Sequence, residues 1–311
     1  MAKKTGNKKC KLFPYERQDC LSLQEAKQNA GWNITAFNLP KAWQYSEGEG
    51  VVIAVLDTGC DLDHPDLVDN LLPGYNFVNP GKDPIDGNGH GTHVTGTLVA
   101  INNDVGMVGV CPKAKVRPVK VLGDNGNGNL LDVAKGIRWA TEQKVDFISM
   151  SLGAPTPVQE VRKAIQAASA AGIICFVAAG NAGNTKQIFY PAAYPETISV
   201  GAIDAEMRRA KFSNTAKNLD FMAPGVDIFS TVPDDWYATL SGTSMAQPFV
   251  CGVAALVLSY VRTKNVDMKL RTANDYRELF KKYTTPVKDN EQYYSGFGII
   301  DPNKFIESLG G

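Results

Sequence analysis

A chain of 311 residues can hold one large α/β domain or two smaller ones and bury a sizeable core. Its 32 Lys+Arg balance 32 Asp+Glu, so no global field favours nucleic acid or an anionic membrane, and a neutral or mixed substrate is the default. No segment approaches the roughly 18 continuous apolar residues of a membrane span. The basic, polar start also lacks the apolar stretch of a signal peptide. The six cysteines are sparse for a disulfide framework, which predicts a cytoplasmic protein with free thiols.

In chain order, residues 1–25 read as an arm: charged, with little apolar periodicity and one compact motif, "KLFPYE". Over residues 26–311, continuous apolar runs bounded by turn residues alternate with amphipathic segments, the pattern of parallel strands covered by helices on both faces. The predicted strands are "VVIAVL", "KVRPVKVL", "VDFISMSL", "GIICFVAA" and "TISVGAI". Between them, "NLLDVAKGIRWATEQK" sets Leu130, Ala134, Ile137 and Ala140 along one helical face, and "VQEVRKAIQAASAAG" ends at Gly172, a helix stop. No Pro/Gly/Ser linker divides this stretch, which predicts a single-domain α/β fold with a doubly wound, mostly parallel sheet. Such sheets gather ligands at the carboxyl ends of their strands. Asp57, Ser151-Leu152-Gly153 and Asn181 all fall just past those ends.

The Asp-Thr-Gly of "VVIAVLDTGC" has two uses: half of an aspartic-protease carboxylate pair, or the carboxylate that orients a catalytic histidine. The first needs a second Asp-Thr/Ser-Gly, which the chain lacks. The three histidines are His64, His90 and His93. His64 precedes a proline and reads as structural. "DGNGHGTHVTGTLVA" is a glycine-rich loop entering an apolar helix, without the His-Glu-x-x-His of a zincin. His90, with glycine on either side, has room to face a cleft, whereas His93 beside Val94 packs inward. In "LSGTSMAQPFVCGVAALVLSYV" a small-residue turn feeds a long apolar helix. Ser244 at its start is either a cap or a hydroxyl held where developing negative charge is favoured. "LGDNGNGNL" fits neither a P-loop nor a dinucleotide fingerprint.

The blocks "AVLDTGCDLDHPDL", "GNGHGTHVTGT", "ISMSLG", "AAGNAGN", "PAAYPETISVGA" and "LSGTSMAQP" resemble, in order and surroundings, the subtilisin-like serine proteases, the subtilases, from about residue 26 to the end. The chain order Asp57, His90, Ser244 is the subtilisin order. The resemblance implies a serine endopeptidase in which Ser244 attacks, His90 is the base, Asp57 orients it and Asn181 donates to the oxyanion. It also implies that Gly126-Asn127-Gly128 and Ser151-Leu152-Gly153 hold substrate backbone as added strands. Phe189 falls near the floor of the primary specificity pocket, which predicts a shallow pocket. "VAINNDVGMVGV" resembles the family's calcium loop, implying Ca²⁺ bound by Asp66, Ile101, Asn103, Val105 and Met107 with Gln28. A weaker cation site would use the carbonyls of Ala192, Tyr194 and Thr197. Two residues depart from the family pattern: Gln247 is larger than usual, and Phe249 stands where histidine is common.

"AVLDTGC", "EQKVDFISMSLG" and "KLFPYE" are most similar to the bacterial intracellular subtilisins. In that subgroup a short Leu-Ile-Pro-Tyr extension blocks the active site until it is cut off, and the enzymes form dimers. The implied partners are therefore peptide or unfolded-protein substrates, the chain's own N-terminal extension as inhibitor, and a second copy of the chain. Pro14, lacking an N–H, suits an uncleavable arm. A catalytically silent binding protein of the same fold is the alternative. Cys60, close to Asp57 in sequence, predicts inhibition by thiol reagents.

Overall fold

The computed structural model describes residues 9–22, 28–288 and 295–310. The arm supplies β1 (Lys9–Leu12) and β2 (Glu16–Ser22); the expected boundary at residue 25 lies outside the described residues. Two short helices, α1 (Trp32–Thr35) and α2 (Leu39–Trp43), lead into β3 (Val52–Asp57), whose "VIAVLD" is almost wholly buried. Then follow β4 (Tyr75–Asn76), α3 (His90–Val99), β5 (Lys115–Lys120), β6 (Asn127–Asn129) and α4 (Leu130–Glu142). The middle of the chain forms β7 (Phe147–Met150), β8 (Leu152–Gly153), α5 (Gln159–Ala170), β9 (Ile174–Ala178) and β10 (Thr197–Ile203). Last come β11 (Phe221–Pro224), β12 (Ile228–Val232), β13 (Trp236–Ser241), α6 (Thr243–Thr263), α7 (Ala273–Phe280), β14 (Thr284–Thr285), β15 (Ile299–Ile300) and α8 (Pro302–Gly310).

Among the described residues one sheet runs β14-β15-β11-β10-β9-β7-β3-β5-β4. All neighbours in it are parallel except the β14–β15 pair. Continuous apolar strands form here because helices cover both faces. α4 and α5 pack together on one face, and α3 and α6 on the other. The predicted stop of α5 is met: Gly172 has φ 84, a left-handed conformation that glycine adopts without strain.

The chain leaves β3 toward β4 and β5 on one side and later builds β7 outward on the other. That reversal opens a crevice at the carboxyl ends of the strands. α6 is long and apolar enough to cross a membrane, but 94% of its apolar window is buried inside the domain, so its apolarity serves the core. Two small antiparallel sheets, β6-β1-β8 and β12-β13-β2, seat the arm on either side of the crevice.

Candidate active site

The loop ahead of α3 is fixed by a carboxylate that the sequence reading passed over. Asp86 Oδ1 accepts from Thr58 Oγ1 (2.8 Å), Asn88 N (2.9 Å) and Gly89 N (3.0 Å), and its Oδ2 accepts from Thr92 N (2.9 Å) and Thr92 Oγ1 (2.7 Å). Burial alone would raise the Asp86 carboxyl, but the bonds from Gly89, Thr92 and Asn88 outweigh it and hold the group below its ordinary value. Gly89, at φ 101, turns the chain so that His90 begins α3. The only hint in the sequence was an aspartate opening "DGNGH".

Asp57, at the end of β3, accepts from Thr58 N at 2.7 Å and from His90 Nδ1 at 2.8 Å, both through Oδ1. Both residues are buried. With Nδ1 carrying the proton toward the carboxylate, Nε2 is the basic lone pair. Asp57 Oδ2 and His90 Nε2 have no hydrogen-bond partner among the described residues.

Ser244 sits in the first turn of α6, where N–H groups lack intrahelical partners. Its Oγ donates to Ser151 O at 3.4 Å and makes no hydrogen bond to His90 among the described residues. A hydrogen bond between Ser244 Oγ and His90 Nε2 is thus not made in this state. The cleft is filled instead: the Tyr15 ring lies 5.2 Å from the His90 ring, and Tyr15 Oη donates to Asn88 Oδ1 at 3.4 Å. Such bonds are commonly loose until substrate is in place.

Asn181 follows β9. Its Oδ1 accepts from Thr243 N (2.9 Å) and Thr243 Oγ1 (2.7 Å), which leaves Nδ2 as the atom facing the cleft, where it donates to Pro14 O at 2.8 Å.

The two predicted substrate-holding segments flank one strand. β1 pairs antiparallel with both, in the registers Cys10↔Gly128, Lys11↔Asn127, Lys11↔Gly153 and Leu12↔Leu152, and Leu12 N donates to Gly126 O at 2.9 Å. Beyond it Phe13, only 3% exposed, packs its ring 5.7 Å from that of Phe189. A Cβ on Gly153 would lie 2.6 Å from Tyr190 O and 2.8 Å from Phe13 Cζ, and the backbone carbonyl makes glycine required at that wall. Phe189 thus lies tilted, at 50°, beside the seated Phe13 ring. Past Pro14 and Tyr15, β2 pairs antiparallel with β13, from Ser241↔Glu16 to Trp236↔Ser22.

The other histidines are structural. His93 Nε2 lies 3.0 Å from Ile228 O and 3.2 Å from Ala238 O, and burial pushes its pKa down to about 3. His64 Nδ1 accepts from Asp66 N at 3.1 Å, so its Nε2 carries the proton toward Trp236 O, 3.3 Å away. All six cysteines are free. Cys60 is fully buried and its thiol is held well above its ordinary pKa by that burial, which overturns the expected reactivity: nearness to Asp57 in sequence brought no exposure.

The sequence profile of the subtilase family matches residues 48–297. The chain belongs to the subtilase family. It is 40% identical over 301 residues to "Intracellular serine protease" of Paenibacillus polymyxa, covering 94% of the chain and 90% of that protein. Identity to "Major intracellular serine protease" of Bacillus subtilis (strain 168) is 40% over 305 residues, 94% of the chain and 93% of that protein. "Subtilisin E" of the same organism is 42% identical over 257 residues, 81% of the chain and 67% of that protein. This subtilase is a serine endopeptidase with the α/β subtilisin fold.

The residues expected around calcium in this subtilase come together. Asp66 accepts from Asn103 Nδ2 (3.0 Å), Met107 N (3.0 Å) and Tyr237 Oη (2.8 Å), and Gln28 Nε2 donates to Ile101 O at 3.1 Å. Val105 N turns inward to Asn103 Oδ1 at 3.2 Å. Among the described residues no three acidic, histidine or cysteine side chains gather for a metal. One buried carboxylate, two side-chain amides and backbone carbonyls gather here, and they fit a hard cation once the Gln28 and Asn103 amides turn oxygen in place of nitrogen toward it. At the second expected cation site, two of the three carbonyls serve one side-chain hydroxyl. The Ala192, Tyr194 and Pro191 carbonyls converge on Thr197 Oγ1 at 3.2, 2.9 and 3.1 Å. Thr197 O is taken by the Arg277 guanidinium, which also bonds Pro195 O and Asp220.

Proposed function

We propose that this subtilase cleaves peptide bonds through Ser244, His90 and Asp57, with Asn181 stabilising the oxyanion. His90 Nε2 takes the Ser244 proton as Oγ attacks the carbonyl carbon, then returns it to the departing amine. Asp57 holds the tautomer this requires. Asn181 Nδ2, oriented by the two Thr243 bonds, donates to the oxygen that becomes negative, and the α6 N-terminus adds its partial positive charge. The carrying observation is that a peptide carbonyl, Pro14 O, already rests on Asn181 Nδ2 at 2.8 Å beside the Asp57–His90 pair. A fluorophosphonate is expected to label Ser244 alone, read by mass spectrometry, slowly in the full chain and fast after the arm is cut. Labelling elsewhere with full loss of activity would refute the assignment.

We further propose that residues 1–25 are an inhibitory extension of a peptidase domain at 26–311, and that the protein is a zymogen. The arm occupies the cleft as a substrate would, but one residue out of step: Phe13 fills the aromatic pocket while the carbonyl on Asn181 belongs to Pro14. Pro14 has no N–H to pair and its φ is fixed, and Ser244 Oγ is directed at Ser151 O instead of at His90. The Phe13 seat supports a preference for aromatic side chains before the cut. A peptide library is expected to favour Phe or Tyr over Ala there by about 1–3 kcal/mol, the worth of a large apolar side chain in its pocket; equal cleavage would discard this.

Calcium is proposed at Gln28, Asp66, Ile101, Asn103, Val105 and Met107, where it would tie the 101–107 loop to Asp66 and the start of the domain. Chelation with EGTA is expected to lower the Tm of the full chain. Asp66→Ala is expected to lower it further, by about 3 kcal/mol of stability for a buried charged acceptor with three donors, and to abolish the EGTA response. A Tm indifferent to EGTA in the unsubstituted protein would count against the ion. A cytoplasmic location is proposed from the relatives named intracellular and from free thiols, which suit a reducing compartment; a homodimer is proposed from the likeness to the intracellular subtilisins.

A further inference from the structure

Gln247, three residues after Ser244 on α6, is wholly buried. Residues three apart lie on one helix face, so its side chain shares the Ser244 face and meets the strand beneath. Gln247 Oε1 accepts from Ser149 Oγ at 2.8 Å and from Ser151 Oγ at 3.2 Å. Ser151 Oγ also stands 3.1 Å from Ser244 O, and a hydroxyl has one proton to divide between two acceptors.

Ser244 O has a particular need for that proton. In an α-helix it would accept from the N–H four residues on, but residue 248 is proline and has none. The Ser151 hydroxyl, its one proton shared with Gln247 Oε1, is the donor at that carbonyl, while Ser151 O receives Ser244 Oγ at 3.4 Å. Ser244 is therefore held at its carbonyl and at its hydroxyl by one residue, and that residue is held by Gln247. The second tie, to Ser149, anchors Gln247 to the end of β7, immediately before Ser151-Leu152-Gly153.

We propose that Gln247 is a positioning residue for the nucleophile, setting the spacing between the first turn of α6 and the Ser151-Leu152-Gly153 edge through Ser151. This rests on the reading of Ser244 as the nucleophile. Of the two terminal atoms of the Gln247 amide, one meets both serines and the other is buried without a hydrogen-bond partner among the described residues, a desolvation penalty that a smaller apolar residue would avoid. Stability is thus given up at a point where geometry at the reacting oxygen is gained.

The test uses the full chain, folded intact and then cut in the arm by limited proteolysis. Gln247→Met keeps the volume and removes both polar atoms; Gln247→Ala is run beside it and decides if the methionine variant fails to fold. Both are expected to lower kcat and the rate of fluorophosphonate labelling together, on the order of tenfold, with the Tm of the intact chain little changed in Gln247→Met and lowered in Gln247→Ala by the cavity it leaves. Adding Gln247→Met to Ser151→Ala is expected to cause no further loss, because the glutamine acts through that hydroxyl. The proposal is overturned if both variants keep the original kcat and labelling rate, if Tm falls in step with kcat in both, or if the losses with Ser151→Ala multiply. Ser244→Ala separates the two readings. If it stays active, the nucleophile assignment has failed; if it is dead and Gln247→Met and Gln247→Ala are fully active, only the positioning role has.

Discussion

A chain beginning near residue 26 is expected to hydrolyse a short peptide at least about a hundredfold faster than the full chain at micromolar substrate. The arm is tethered, so its local concentration is on the order of millimolar, and a free peptide at micromolar levels competes against it at a disadvantage of about a thousand. What the arm offers in that competition is on the structure: two strand pairings in β6-β1-β8, the buried Phe13 ring, the 2.8 Å bond from Asn181 to Pro14 O, and the β2–β13 pairing beyond the cleft. Each matches what a good substrate would offer, and the arm adds Pro14 at the carbonyl nearest Asn181. Equal activity of the two chains, measured with both shown to be folded, would remove the inhibitory role and leave an idle extension.

The domain was largely legible before its structure because its signals are local. Continuous apolar runs such as "TISVGAI" coincide with a strand, Thr197–Ile203, and Gly172 ends a helix where glycine is needed. The residues of the cleft were legible for another reason: they lie just past strand ends, and the fold brings strand ends together. What escaped was decided by distance along the chain. β2, "ERQDCLS", has no apolar alternation, since it forms by backbone pairing with β13 over two hundred residues away. The contact of Phe189 with Phe13 depends on the tilt of one ring against the other, 50°, which no sequence pattern encodes. Gln247 was visible as a departure, but its partners Ser149 and Ser151 are 98 and 96 positions distant. Cys60 misled in the opposite sense, because neighbourhood in sequence says nothing about exposure.

Ser244→Ala is expected to lower kcat by about 10⁶, a magnitude that belongs to subtilisin itself and is carried over with the family. The physical content lies in how selective that loss should be. Ser244 Oγ makes one long bond, 3.4 Å to Ser151 O, so its removal is expected to change stability by less than about 1 kcal/mol. The Asp57–His90 bond, the Asn181–Pro14 bond and the arm pairing involve other atoms and should persist. Asp57→Asn provides the contrast: an amide there no longer fixes the imidazole proton on Nδ1, and the wrong tautomer is expected to lower kcat by about 10⁴ while leaving Ser244 in place. Together the two variants separate loss of the attacking oxygen from loss of the base's orientation. A folded Ser244→Ala protein that still cut peptides at the original rate would show that another group makes the attack, and the roles assigned to Asp57, His90 and Asn181 would fall with it.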